Sequence, residues 1–237
     1  MAQTIFKYTL KCQWVNCPWL VLPFTIHCTS LVPNLDSRIM PVVTGISDHL
    51  GWAELVTVAI EDSTPVILDR RRVELIEPGL PSAPYHHEGL VLPLDEAESV
   101  IFKTRESVLA HCRSALSELK SSFHVEAIAI QESPYEELPE SVSRVLASWQ
   151  MTCAADGMLY RETLVSQASA LGLAVHRTPR NLDPIAAASR ALGCPASEIT
   201  RILDGFGKSV GAPWRKEHKL VAAAALCLLA GGMDPGR

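Results

Sequence analysis

Most features that would place a sequence at once are missing here, and each shortage removes a class of protein. No unbroken apolar run reaches the ~20 residues that a helix needs to cross a bilayer. The most apolar stretches are Trp14–Ile26, interrupted by Pro18 and Pro23, and the short Leu220–Leu229. Basic residues do not dominate: 21 Lys and Arg stand against 26 Asp and Glu, for a net charge of −5. The chain therefore has no overall electrostatic footprint for nucleic acid, and any basic strip must be local. Aromatic residues make up only 6%, and none group into a stacking platform for single strands. Repeats and low-complexity tracts are absent. What remains, 237 residues with 48% apolar and 20% charged side chains, is ordinary for a globular protein with room for one domain or a domain plus an appendage.

The composition changes sharply near residue 39. Residues 1–39 contain Trp14 and Trp19, Cys12, Cys17 and Cys28, and only four charged side chains, Lys7, Lys11, Asp36 and Arg38. An apolar stretch behind Lys7 and Lys11 has the outline of a secretory signal, but prolines break it and no small-x-small cleavage site follows. Cys12 and Cys17 stand in a Cys-x4-Cys spacing with His27 and Cys28 further on, a weak zinc pattern against which the expectation is a plain extension. We therefore expect residues 1–39 to be a poorly packed N-terminal extension and residues 40–237 to form the folded body. The other four cysteines, Cys112, Cys153, Cys194 and Cys227, form no paired motif and read as reduced thiols. With no export signal, the expected compartment is the cytoplasm.

From Met40 the pattern alternates between strand and helix. Pro41–Ile46 is a short apolar run. Trp52–Ile60 and Val66–Ile76 flank the turn cluster Glu61–Pro65 and read as a hairpin. Pro78–Pro93 is a proline-bearing loop. Asp95 reads as an N-cap, with Glu96 and Glu98 in the first turn of a helix running to about residue 121. Val125–Ile130 is a strand, and Leu146–Leu171 is a helix with a break expected near Asp156-Gly157 and Gly172 as its stop. Leu173–Arg177 is a strand. Asp183-Pro184 starts a helix that Gly193 ends. Ser197–Leu203 is a short helix, Gly205–Pro213 a flexible hinge, and Glu217–Ala230 a buried final helix. Gly205–Ser209 looks like the end of a phosphate-binding loop, but it lacks the earlier glycine and follows a helix rather than a strand. Three antiparallel strands followed by strand–helix alternation predict a mixed sheet with helices on its faces.

That order, with particular residues at strand ends, resembles the ribonuclease H-like superfamily, and within it the RuvC-type junction resolvases. Gly45-Ile46-Ser47-Asp48 followed by Gly51-Trp52 resembles the family's Gly-Ile-Asp and Gly-Trp opening. Glu132 follows the fourth strand, and Glu217-His218-Lys219 precedes the alanine-rich run of the last helix. The resemblance spans Val42–Ala230. It implies a ribonuclease H-like α/β fold: a mixed five-stranded sheet, three antiparallel strands then parallel strands, with helices on both faces. It also implies metal-dependent phosphodiester hydrolysis on nucleic acid, using Mg or Mn held by Asp48, Glu132 and Glu217 as catalytic and metal-binding residues. Two cations about 4 Å apart, each bound by hard oxygen donors, would stabilise the attacking and leaving oxygens. One departure is plain. The family's first aspartate falls on Ser47, and Asp48 lies one residue later, which in a strand points to the opposite face. This favours an alternative on the same fold, a non-catalytic binding or assembly module.

Other residues carry further expectations. His86 and His87 in the proline-rich loop, with His49, form an alternative metal set. His218 reads as a structural histidine or a partner of Glu132. Arg180, Lys208, Arg215, Lys216 and Lys219 form a local basic strip that could hold phosphates. Arg70, Arg71 and Arg72 alternate along a strand and are expected to pair with acids such as Glu74.

Overall fold

The computed structural model describes residues 41–135 and 137–231. The expected extension, residues 1–39, and its cysteines lie outside the described residues. The elements in chain order are β1 (Val42–Asp48), β2 (Trp52–Glu61), β3 (Thr64–Glu74), α1 (Glu88–Val91), α2 (Leu94–Phe123), β4 (Ala127–Gln131), α3 (Val142–Leu146), α4 (Trp149–Ala170), β5 (Ala174–Thr178), α5 (Pro184–Leu192), α6 (Ala196–Val210) and α7 (Lys216–Leu229).

The five strands form one sheet in the order β3-β2-β1-β4-β5. β1, β2 and β3 are antiparallel, whereas β4 and β5 run parallel to β1. This is the ribonuclease H-like arrangement that the resemblance implies. Side-chain alternation divides the core in two. Val42, Ile46, Leu55, Ile128 and Ile130 pack against Val108, Cys112 and Leu116 of α2 and Tyr160 and Leu164 of α4. Val43, Val56 and Val58 face the other way, onto Ala187, Ile199, Leu203 and the Ala222–Leu226 stretch of α5, α6 and α7.

The close seat of α7 depends on one residue. A Cβ on Gly45 would lie 2.1 Å from the Val221 carbonyl oxygen, so only glycine lets the α7 backbone touch β1. The alanines of α7 extend this close approach along the sheet. Glu217 and His218, four and three residues before Val221, are thereby brought over the carboxyl end of β1.

Several expectations need correction. β1 continues two residues past Ile46 and includes Asp48, because its ladder with β2 runs on to the Asp48↔Ala53 pair. α4 is unbroken through Asp156-Gly157; the buried Asp156 finds its partners outside the helix. α6 runs to Val210 and absorbs the supposed hinge. Its Gly207 has a packing reason, since a Cβ there would lie 2.3 Å from the Trp214 ring. α2 begins at Leu94 with Pro93 at its N-cap, so Asp95 lies in the first turn instead. The Asp183 cap is as expected, with its carboxylate accepting from the Ile185 and Ala186 N–H groups, and Gly193 ends α5 at φ +65°.

Candidate functional site

The carboxyl edge of the sheet gathers the chemistry, and strand alternation sorts it onto two faces. On the α7 face, Ser47 of β1 stands directly opposite Glu54 of β2, and Glu54 opposite Arg72 of β3. Glu54 is 8% exposed. Above this row sit Glu217 and His218 of α7. One ligand atom from each of Glu54, Glu217 and His218 lies within 4.8 Å of the others, making this the one such trio among the described residues.

Each carboxylate has a histidine beside it. His218 Nε2 is 3.1 Å from Glu54 Oε2, and His49 Nε2 is 3.2 Å from Glu217 Oε2. The Arg215 backbone N–H donates to His218 Nδ1 at 2.8 Å, at the start of α7. That bond assigns the ring proton to Nε2, the nitrogen that faces Glu54. His218 is buried, and its Nε2 lies within ion-pair distance of Glu54 but lacks hydrogen-bond alignment with it. His218 is thus a donor turned toward the carboxylates, not a free lone pair. Ser47 Oγ is 3.4 Å from His49 Nε2. A serine–histidine–acid relay uses both ring nitrogens; here Ser47 and Glu217 share one, so these three residues form no relay. His49 also stacks on Trp52, with ring centroids 3.8 Å apart, and the Arg72 guanidinium lies 4.0 Å from the Trp52 centroid.

The opposite face holds Asp48. Its Oδ1 accepts from Arg161 Nε at 3.0 Å, and both side chains are largely buried. Burial, with the Asp48 charge as a lesser cause, pushes the Cys112 thiol of α2 up to about 12. Arg161 also donates from Nη1 to the Glu132 carbonyl at 3.2 Å. The Glu132 carboxylate is turned to the backbone, accepting from the Arg180 N–H at 3.1 Å. Next to it, Arg177 pairs with Glu162 at 2.5 Å and, as the largest cause, lowers the Glu162 carboxyl below its usual value.

The expected ligand set is therefore not brought to one point. Asp48 is spent on Arg161 across the sheet, Glu132 caps a loop, and only Glu217 joins a cluster. The cause is β1's extra length, which fixes Asp48 one residue, and so one face, away from Ser47. His218 meets Glu54, not Glu132. Glu54 was missed by sequence reading, although a lone acid inside the apolar run Trp52–Ile60 is a signal, since such a charge is buried only with partners. The alternative histidine set also separates: His49 lies with Glu217, whereas the His86 and His87 rings lie together with centroids 5.2 Å apart. Among the basic residues, Lys219 pairs with Asp204 at 2.6 Å and Arg215 comes within 4.0 Å of Glu217. Arg180, Lys208 and Lys216 make no ion pair among the described residues. Arg72 pairs with Glu74 at 2.9 Å, as expected.

Strand order, strand directions and the helix crossing β1 define a protein of the ribonuclease H-like fold class. Among solved structures, the chain is similar to Thermus thermophilus RuvC in complex with a Holliday junction substrate. The identity is 17% over 79% of this chain and 91% of that one, with a TM-score of 0.46. It is also similar to the yeast mitochondrial Holliday junction resolvase, at 13% identity over 83% and 80%, TM-score 0.44, and to an Aquifex aeolicus PPX-GPPA enzyme, at 15% over 65% and 41%, TM-score 0.34. No family model and no curated protein matches the sequence. No helix among the described residues is long and apolar enough to cross a membrane.

Proposed function

We propose that the chain is a phosphodiester hydrolase acting on nucleic acid, with a single hard cation, Mg or Mn, held at its α7 face by Glu54 and Glu217. The observation that carries this is the cross-strand pair Ser47↔Glu54 beneath Glu217: the carboxylate missing from β1 is replaced, in the same row, by one from β2. Carboxylate and hydroxyl oxygens suit a hard cation. His218 and His49 behind the carboxylates match the outer groups that orient metal ligands. A cation bound there would polarise a phosphoryl oxygen and acidify a coordinated water. Ser47 would orient the water or a phosphate oxygen, and Arg215 and Lys216, at the start of α7, would receive the flanking phosphates together with Arg180 and Lys208.

A second reading, a non-catalytic binding or assembly module, is favoured by the Asp48–Arg161 pair, which removes the carboxylate that a second cation would need. Calorimetric titration with Mn²⁺ and Mg²⁺, followed by cleavage assays on branched and single-stranded DNA, separates the two. The hydrolase reading expects Glu54→Gln and Glu217→Gln to lose cation binding and to reduce cleavage beyond the roughly tenfold to hundredfold of an outer-group change, with Asp48→Asn nearly silent. Absence of cation binding by the unaltered chain rejects the hydrolase and leaves the module.

A further inference from the structure

A second constellation lies on α4 and shares Arg180 with the basic residues proposed above to receive phosphates. Asp156, 2% exposed, accepts from the Tyr85 N–H at 3.0 Å and the His86 N–H at 2.9 Å. These bonds pin the 85–86 segment to α4. The His86 ring is thereby laid across one turn of the helix: its Nδ1 is 3.4 Å from Cys153 Sγ, and it packs against Trp149 at a centroid distance of 4.1 Å. Cys153 is exposed. Trp149 and Cys153 open onto a pocket of about 450 Å³ that also includes Tyr135, Gly157, Arg161 and Arg180. Gly157 is the telling residue. A glycine inside a helix costs about 1 kcal/mol relative to alanine, yet a Cβ there would meet nothing within 4 Å. Packing does not require it; its effect is to keep the floor bare between the thiol and the arginines.

We propose that Cys153 is the nucleophile of a separate site, with His86 as its base, which takes small electrophiles bearing a carboxylate or phosphate. In an addition to an activated alkene, an S–C bond forms from Sγ as the C=C π bond opens, and the thiol proton passes through His86 Nδ1 to the neighbouring carbon. A thiol with a base in contact outruns a bare one, and Arg180, which makes no ion pair among the described residues, selects for charge.

The test uses the full chain and two maleimides, neutral N-ethylmaleimide and anionic maleimidopropanoate, with labelling rates read by peptide mass spectrometry at Cys153 and, as an internal reference, Cys194. Cys153 is expected to label about tenfold faster than Cys194 and to prefer the anionic reagent. His86→Asn should remove the rate advantage, and Arg180→Gln should reduce the charge preference while leaving the rate with N-ethylmaleimide unchanged. Gly157→Leu, which keeps the helix, should block both reagents with an unchanged circular dichroism spectrum. Labelling no faster than at Cys194, or a rate unmoved by His86→Asn, overturns the nucleophile. Equal rates with the two reagents overturn the anionic class.

Discussion

The two faces of the sheet at its carboxyl edge differ by a single residue along β1 and solve the problem of a buried carboxylate in opposite ways. Under α4, Asp48 is matched by a guanidinium: charge neutralises charge, and the arginine's Nη1 ties the neighbouring strand end through the Glu132 carbonyl. Under α7, Glu54 and Glu217 face imidazoles, and among the described residues no lysine or arginine approaches either more closely than the 4.0 Å of Arg215. The first arrangement is closed and structural. The second leaves net negative oxygen gathered at one place, which is the condition for holding a cation. The comparison teaches that counting acids near a strand end says little until each has been assigned a face and a counter-charge.

The comparison can be broken most forcefully at Gly45. Gly45→Ala drives a methyl into the Val221 carbonyl, lifting α7 from β1 and with it the whole α7-side cluster. We expect a loss of about 3 kcal/mol or more in urea unfolding. On the other face, Arg161→Met leaves Asp48 buried without its partner and should cost about 3 kcal/mol. The double variant Asp48→Asn/Arg161→Met should recover most of that loss. Recovery would mark the pair as structural, whereas an unaltered deficit would mean that the packing of Arg161, not its charge, is what matters.

Asp156 sharpens the contrast, because it is a buried carboxylate whose hydrogen bonds come from backbone N–H groups. Burial pushes its carboxyl from 3.8 up to about 6, the two N–H donors pulling the other way. Between those values the folded chain keeps a proton that the unfolded chain has lost. Stability contributed by this group is therefore full below the lower value, falls as pH rises through the window, and is constant above it, a change on the order of 2 kcal/mol. Asp156→Asn should flatten that decline when unfolding free energies are compared over about pH 4 to 7. The smallest effect belongs to the exposed basic strip. Lys216→Gln should leave stability within about 0.5 kcal/mol and, on the proposed hydrolase reading, reduce the salt dependence of DNA binding by about one phosphate's worth, a change in slope near 0.9.

Much of this architecture was legible from local pattern. Asp183-Pro184 and Gly193 bracket α5 because cap chemistry acts within a few residues. The strand–helix order follows from apolar periodicity, and the Gly45…Gly51-Trp52 opening placed the first two strands. Two failures were of one kind. Gly205 and Gly207 suggested a hinge, but packing on Trp214 made that stretch helical. Asp156-Gly157 suggested a break, but the carboxylate found its donors in a loop seventy-one residues earlier in the chain, at Tyr85.

The sequence by itself determined most of the elements and their order, because those depend on periodicity, caps and turn residues that lie close together along the chain, and its resemblance to the ribonuclease H-like superfamily implied the sheet they build. Only the tertiary structure decided which acids meet. The pairing of Ser47 with Glu54, the turning of Asp48 toward Arg161 and the descent of Glu217 and His218 over β1 depend on strand register and on the contact at Gly45. Register is a relation between distant segments, and one residue of slip or extension exchanges the two faces of the sheet.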